Sequence, residues 1–178
     1  NLKGYTEVVG GKADVVVANP WGVTCDGCGF INTDRALITT GTPTLGVNGV
    51  LTGFTVNGSD ILVQGKGIDG SAQNVLDLVA RSIKIDGQVN GKDVGLTAGV
   101  NQYNYVERTA TAGTADASKP LYAIDSTALG GMYGNRIRLT ATEAGVGVRM
   151  LGSAAASVDD FTLTSAGKVE LASKLSAE

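Results

Sequence analysis

Residues 19–41, NPWGVTCDGCGFINTDRALITTG, set a strand-ending turn, a tight Cys-x-x-Cys loop and a β-rich run end to end, with no helical period between them. Asn19-Pro20 closes the apolar run Val15–Ala18, because proline pushes the residue before it toward extended backbone and asparagine favours a turn. Gly29 then opens another apolar run at Phe30. Short apolar runs punctuated by Asn, Pro and Gly read as strands joined by tight corners. The stretch predicts stacked strands.

The same grammar runs through the rest of the chain. Inward-facing pairs flank a polar or small residue at Ile83/Ile85, Val94/Leu96, Ile137/Leu139, Val146/Val148, Phe161/Leu163 and Val169/Leu171. Their period is two, and within neighbouring pairs of runs they start about 8 to 11 residues apart, a spacing of short strands and turns. No such run folds alone. Two or three of them to a turn of about 20 residues is what a parallel β-helix requires, each coil burying its inward face on its neighbours. A β-sandwich gives similar alternation, and Asn48-Gly49, Asn57-Gly58 and Asn90-Gly91 are hairpin signals that favour it. The β-helix is the expected fold, with Gly46–Asp60 as a hairpin outside the coil stack. Residues 101–131 break the spacing and read as an inserted hairpin or loop. Tyr103, Tyr105, Tyr122 and, just beyond, Tyr133 lie at or near its ends, and the polar stretch Thr109–Lys119 forms its mobile tip.

Composition agrees with an all-β chain. There are 26 glycines against three prolines in 178 residues, with few aromatics, which suits strands and tight turns. The formal charge is −3 and no long basic run exists, so nucleic acid is not an expected partner. The absence of histidine excludes a Ser/His/Asp triad and any metal site needing imidazole. No apolar stretch reaches the roughly 20 residues of a membrane-spanning helix. The chain opens in mid-pattern on NLKGYTEVVGGKADVVVA without a methionine, so a preceding natural segment is expected.

Several motifs admit sharper chemistry. Gly65-Lys66-Gly67-Ile68-Asp69-Gly70 satisfies GxGxxG, with Asp86 ending the next run. A dinucleotide site would need a helix at SAQNVLDLVARS and a second βαβ unit; that stretch reads equally well as a strand with Leu76, Leu78 and Ala80 inward. Cys25 and Cys28 could form a metal half-site, a redox dithiol or a disulfide. Zinc lacks further Cys/His ligands, and a redox dithiol would need a helix where GFIN starts a strand, so a corner disulfide is favoured. Asp159-Asp160 could serve a glycosidase, but adjacent strand residues face opposite sides. No catalytic residue, metal or cofactor is expected.

NLKGYTEVVGGKADVVVANPWGVTCDGCGFINTDRALITTG resembles the core of the two-partner secretion domain of filamentous haemagglutinins, haemolysins and contact-dependent growth-inhibition exoproteins. DILVQGKGIDGSAQNVLDLVARSIKIDGQVNGKDVGLTAG and GGMYGNRIRLTATEAGVGVRMLG resemble later parts of that domain and its transition into haemagglutinin-like repeats. The resemblance implies a right-handed parallel β-helix over residues 1–131, with the 101–131 insertion, followed by further coils at 132–178. It also implies a non-enzymatic secretion-targeting and folding module, carried through the periplasm of a Gram-negative bacterium to the cell surface or medium. The implied partner is a TpsB-type outer-membrane transporter acting through its periplasmic POTRA domains, with no stable membrane insertion of this chain. Asn19, Pro20 and Gly22 match the family's Asn-Pro-Asn-Gly turn, with Trp21 in place of the second Asn. Cys25 and Cys28 match a Cys pair of part of the family, and Asn32, Thr33 and Arg35 match the run after it. The alternative is an adhesin-like module contacting glycan or protein through Tyr103, Tyr105, Tyr122 and Tyr133. An open strand edge at Tyr5–Ala18 would favour self-association.

Overall fold

Inward residues two apart, recurring at nearly constant distance, fold here into a parallel β-helix. The computed structural model describes residues 1–116 and 118–177; Ala117, in the expected loop tip, lies outside the described residues. The first coil holds β1 (Leu2–Glu7) and β2 (Ala13–Ala18), and the second β3 (Val23–Ile31) and β4 (Thr33–Thr39). The chain then leaves the stack for β5 (Thr42–Leu45) and β6 (Leu51–Val56) and returns in β7 (Asp60–Ala80), which forms all of the third coil. The fourth coil is β8 (Ser82–Asp86) and β9 (Gln88–Ala98), followed by a second excursion, β10 (Asn101–Asn104) and β11 (Thr109–Ala112). The fifth coil comprises β12 (Tyr122–Ser126), β13 (Gly131–Gly134) and β14 (Arg136–Ala141). The sixth has β15 (Gly147–Met150), β16 (Ser153–Ala156) and β17 (Phe161–Ser165), and β18 (Val169–Leu171) and β19 (Leu175–Ala177) begin a seventh.

Register turns the sequence pairs into columns through the core. On one face Val23, Ile61, Ile83, Ile124, Val148 and Val169 are successive parallel partners. On another, Cys28, Ile68, Val89, Met132, Ala154 and Leu175 stack. The third carries Val17, Ile38, Leu78, Leu96, Leu139 and Leu163. Burying each such aliphatic side chain contributes about 1.5–3 kcal/mol. The pair expected at Val146/Val148 is shifted: β15 starts at Gly147, so the inward pair is Val148 and Met150, while Val146 is buried at the corner.

The two excursions combine. β11, β10, β6 and β5 form a four-stranded antiparallel sheet that packs on the outer side of the third face. Leu37 and Val79, which point away from the coil interior, are buried there with Phe54, Val56 and Tyr103. Of the Asn-Gly pairs, Asn48-Gly49 turns the β5–β6 hairpin with both residues at positive φ, whereas Asn90-Gly91 lies inside β9. The insertion is shorter than 101–131, since its hairpin ends at Ala112 and Tyr122–Ser126 is a coil strand paired with β8 and β15. SAQNVLDLVARS is β-structured, with Leu76, Leu78 and Ala80 fully buried. Gly67 of the GxGxxG run lies where an added Cβ would collide with the Gln88 backbone, so that glycine accommodates the next coil rather than a phosphate.

Candidate functional site

The corner between the first and second coils is a turn built almost wholly by one side chain. Asn19 N–H donates to the Thr39 carbonyl at 2.9 Å, and Gly22 N–H closes the turn on the Asn19 carbonyl at 3.1 Å. The Asn19 amide does two further jobs: Oδ1 accepts from Trp21 N–H at 3.2 Å and Nδ2 donates to the Gly22 carbonyl at 3.0 Å. Pro20 presets the first central φ of such a turn, and its carbonyl accepts from Ser59 Oγ at 2.7 Å. Gly22 takes φ +106°, with an added Cβ only 3.2 Å from the Asp60 carbonyl. Trp21 is not among the residues at positive φ, so its position does not need the asparagine that the family pattern carries. Its side chain stands in solvent, the residue being 90% exposed.

The other matching residues are engaged within the fold. Asn32 adopts φ 57° and donates to the carbonyls of Val8 and Gly10 at 2.8 and 2.9 Å, tying its corner to the preceding coil. Thr33 is buried and donates to the Ile31 carbonyl. Cys25 and Cys28 are disulfide-bonded and lie in the core against Val63 and Ile68. The bridge joins two faces of one coil, with Gly27 at φ 73° between.

Arg35 is the surprise. Its side chain, 12% exposed, meets Asp77, 3% exposed, at 2.9 Å. Its Nη1 donates to the Tyr105 carbonyl at 2.6 Å, and the guanidinium lies 4.0 Å over the Tyr105 ring. Asp77 also accepts from Arg108 at 2.7 Å, and Arg108 reaches Asp93 at 2.8 Å. Asp93 accepts in turn from Arg138 at 3.0 Å. Arg108 comes from the β10–β11 turn, where it holds φ 56°. Gly95 makes the room, since a Cβ there would sit 2.5 Å from Asp77 Oδ1 and 3.2 Å from Arg108 Nη2. The network is a latch holding the extra sheet on the coils. Arg35 therefore has a structural occupation that the sequence pattern did not disclose.

Burial pushes the Asp93 carboxyl up, but Arg108 and Arg138 more than offset it and hold the group below the ordinary carboxylate range. A depressed carboxylate contributes stability above its unfolded value, about 3.9, and loses it as pH falls through the lower folded value. With no histidine in the chain, we expect a stability profile flat from about pH 5 to 7, with loosening of the latch below about pH 4. Denaturation midpoints across that range check this; a decline already present near pH 6 would assign the loss to another group.

A second buried pair fixes the corner where the β10–β11 excursion leaves. Glu143 accepts from Arg81 at 3.0 and 3.1 Å and from Val100 N–H at 3.3 Å. Arg81 also meets Asp116 at 3.0 Å. The four tyrosines do not share a surface. Tyr103 is 3% exposed, and burial, with Asp77 close by, raises its phenol well above the ordinary range. Tyr105 stacks on Arg35, Tyr122 on Arg149, and Tyr133 is half-exposed on β13. Asp159 pairs with Arg136 at a corner. Among the described residues no cluster of metal-ligating side chains occurs, and no helix is long and apolar enough to cross a membrane.

The model of the TPS secretion domain matches residues 1–171. "Toxin CdiA" of Yersinia pestis is 46% identical over 167 residues, which cover 93% of this chain and 5% of that protein. "tRNA nuclease CdiA" of Escherichia coli strain STEC_O31 is 45% identical over 175 residues, which cover 98% of this chain and again 5% of the relative. The chain thus spans about one-twentieth of the length of these relatives. Among solved structures, the crystal structure of the filamentous hemagglutinin secretion domain superposes with a TM-score of 0.86 at 32% identity, covering 99% of this chain and 68% of that one.

Proposed function

The chain belongs to the TPS secretion domain family, and from that premise we propose that the Asn19–Gly22 turn is where its outer-membrane partner first engages it. As a domain of this family it is the non-catalytic export and folding module of a large exoprotein related to CdiA and filamentous haemagglutinin, carried through the periplasm to the surface of a Gram-negative bacterium. Family membership implies a TpsB-type transporter; recognition through periplasmic POTRA domains is our reading. The observation behind it is that the turn is exposed yet rigid, held by its own Asn19 amide and by Ser59. Asn32 and Thr33, bonded at their own corner of the stack, and Arg35, spent on the latch to the outer sheet, serve by building the coil that presents it.

The fold suggests how export and folding cooperate. Each finished coil leaves a strand edge whose N–H and C=O groups template the next, so a chain emerging outside the membrane collapses coil by coil. Residues 132–178 extend that stack, in our reading, into haemagglutinin-like repeats.

Replacing Asn19 and Pro20 with alanine tests the assignment. Losing the side-chain bonds of one exposed turn costs about 1–2 kcal/mol of stability, while export of the full-length exoprotein should fall about tenfold or more, the scale of a lost recognition hot spot. The readout is exoprotein in the medium against exoprotein in the periplasm. Export and stability falling in proportion would return the turn to a purely structural role.

A further inference from the structure

The turn explains every one of its own bonds without the side chain of Trp21. Asn19 supplies the amide, Pro20 the preset φ, Gly22 the positive φ and Ser59 the cross-coil tie. The only tryptophan of the chain is nevertheless placed there, 90% exposed, on a turn fixed by its own hydrogen bonds. Single exposed apolar residues need no explanation by themselves. Its two neighbours in the turn adjoin a second feature: Ser59, which grips the Pro20 carbonyl, and Asp60, which lies against Gly22, form one wall of a cleft of about 450 Å³. The cleft is also lined by Lys84 and Lys119. Neither lysine forms a salt bridge among the described residues, Lys119 being bonded to the Ala144 carbonyl, and Asp60 is the one carboxylate lining the cleft. A large exposed aromatic on a turn whose neighbours border a cleft with two ammonium groups has the composition of an interface hot spot with a polar margin.

We infer that Trp21 is a specificity-determining contact for the transporter, which meets it with an apolar hollow and sets carboxylate groups against Lys84 and Lys119. This rests on the reading that the turn is the transporter's point of engagement. Covering an indole removes about 150–250 Å² from water, and a rigid anchor loses little side-chain entropy on binding. The substitution of the family's second asparagine then changes partner choice and leaves the turn intact.

The experiment is a competition. Two full-length exoproteins carrying different tags are co-expressed with a limiting amount of their own transporter, one native and one variant, and the ratio of the tags in the medium is measured. Trp21→Asn should be under-represented about tenfold, Trp21→Phe should recover most of the loss, and Lys84→Glu with Lys119→Glu should lower the share several-fold. Thermal melting of the secreted Trp21→Asn protein should match native, because the side chain packs against nothing that the fold needs. An equal share for Trp21→Asn overturns the inference, as does a matching fall in its melting temperature. If Asn19→Ala, Pro20→Ala still fails to export while Trp21→Asn competes equally, the turn reading stands and only the Trp21 contact falls. If both compete equally, both are lost. An unchanged share for the lysine double variant removes the acidic character assigned to the partner.

Discussion

Asp77→Ala should destabilise the fold by about 3–5 kcal/mol, the cost of stripping one partner from a buried ion pair. The Asp77 side chain is 3% exposed and spends both oxygens, Oδ2 on Arg35 and both Oδ1 and Oδ2 on Arg108. Without it, two guanidiniums with side chains 12% and 14% exposed face each other with only Asp93 left to neutralise Arg108. The damage should be local first. The β10–β11 hairpin is held to the coils by Arg108, by the Arg35–Tyr105 contacts and by Tyr103 in the small outer core, so protease cleavage within Tyr105–Arg108 should rise before the coils open. Urea denaturation with parallel proteolysis measures both. Replacing Arg35, Asp77 and Arg108 together by Met, Leu and Met should cost much less than Asp77→Ala alone, because no guanidinium is then left buried without its carboxylate and Asp93, with a side chain 20% exposed, keeps Arg138 as its partner. By contrast Arg136→Ala breaks a pair whose side chains are 41% and 39% exposed, and surface pairs contribute about 1 kcal/mol or less. A loss below about 1 kcal/mol for Asp77→Ala would show that the latch is an ornament on a self-sufficient sheet.

The latch also marks the boundary of what residue patterns disclose. Period-two runs such as Ile83/Ile85 and Val94/Leu96 are local, so they are readable, and they do form columns of the core. The turn at Asn19 is legible for the same reason, since its bonds span three residues. Arg35, Asp77 and Arg108 lie 42 and 31 residues apart in sequence. They meet only because the register sets Leu37 opposite Asp77 and Asp77 opposite Gly95, and because a hairpin folds back over them. One signal was available: Asp77 interrupts the apolar run VLDLVA, an outward position that water would be expected to cover, and Gly95, one coil later, leaves a hole beside it. The placement of the tyrosines is non-local for a related reason. Aromatic residues near a polar loop suggest an exposed binding surface, but Tyr103 and Tyr105 are there to roof an outer core that exists only once the two excursions pair.

Leu96→Ala should cost about 2–5 kcal/mol, and its effect on export should follow from that loss alone. Leu96 is fully buried in the middle of the column Leu78, Leu96, Leu139, so truncation leaves a cavity between coils that are each held on both sides. In a solenoid, stability is close to a sum of coil terms and nearest-neighbour interfaces, and a cavity in the fourth coil weakens the interfaces to the third and the fifth together. Leu163, in the same column but only partly buried on the sixth coil, should lose about half as much or less when truncated, since the transfer term scales with the area removed from water. If coil-by-coil collapse outside the membrane helps to draw the chain out, Leu96→Ala should slow release into the medium in step with its loss of stability while the periplasmic chain still competes for the transporter as well as native. Asn19→Ala, Pro20→Ala should do the reverse, competing poorly with a fold nearly intact. The pair of measurements therefore separates recognition from folding. Native release by a markedly destabilised Leu96→Ala chain would mean that export draws its energy from elsewhere than the growing stack.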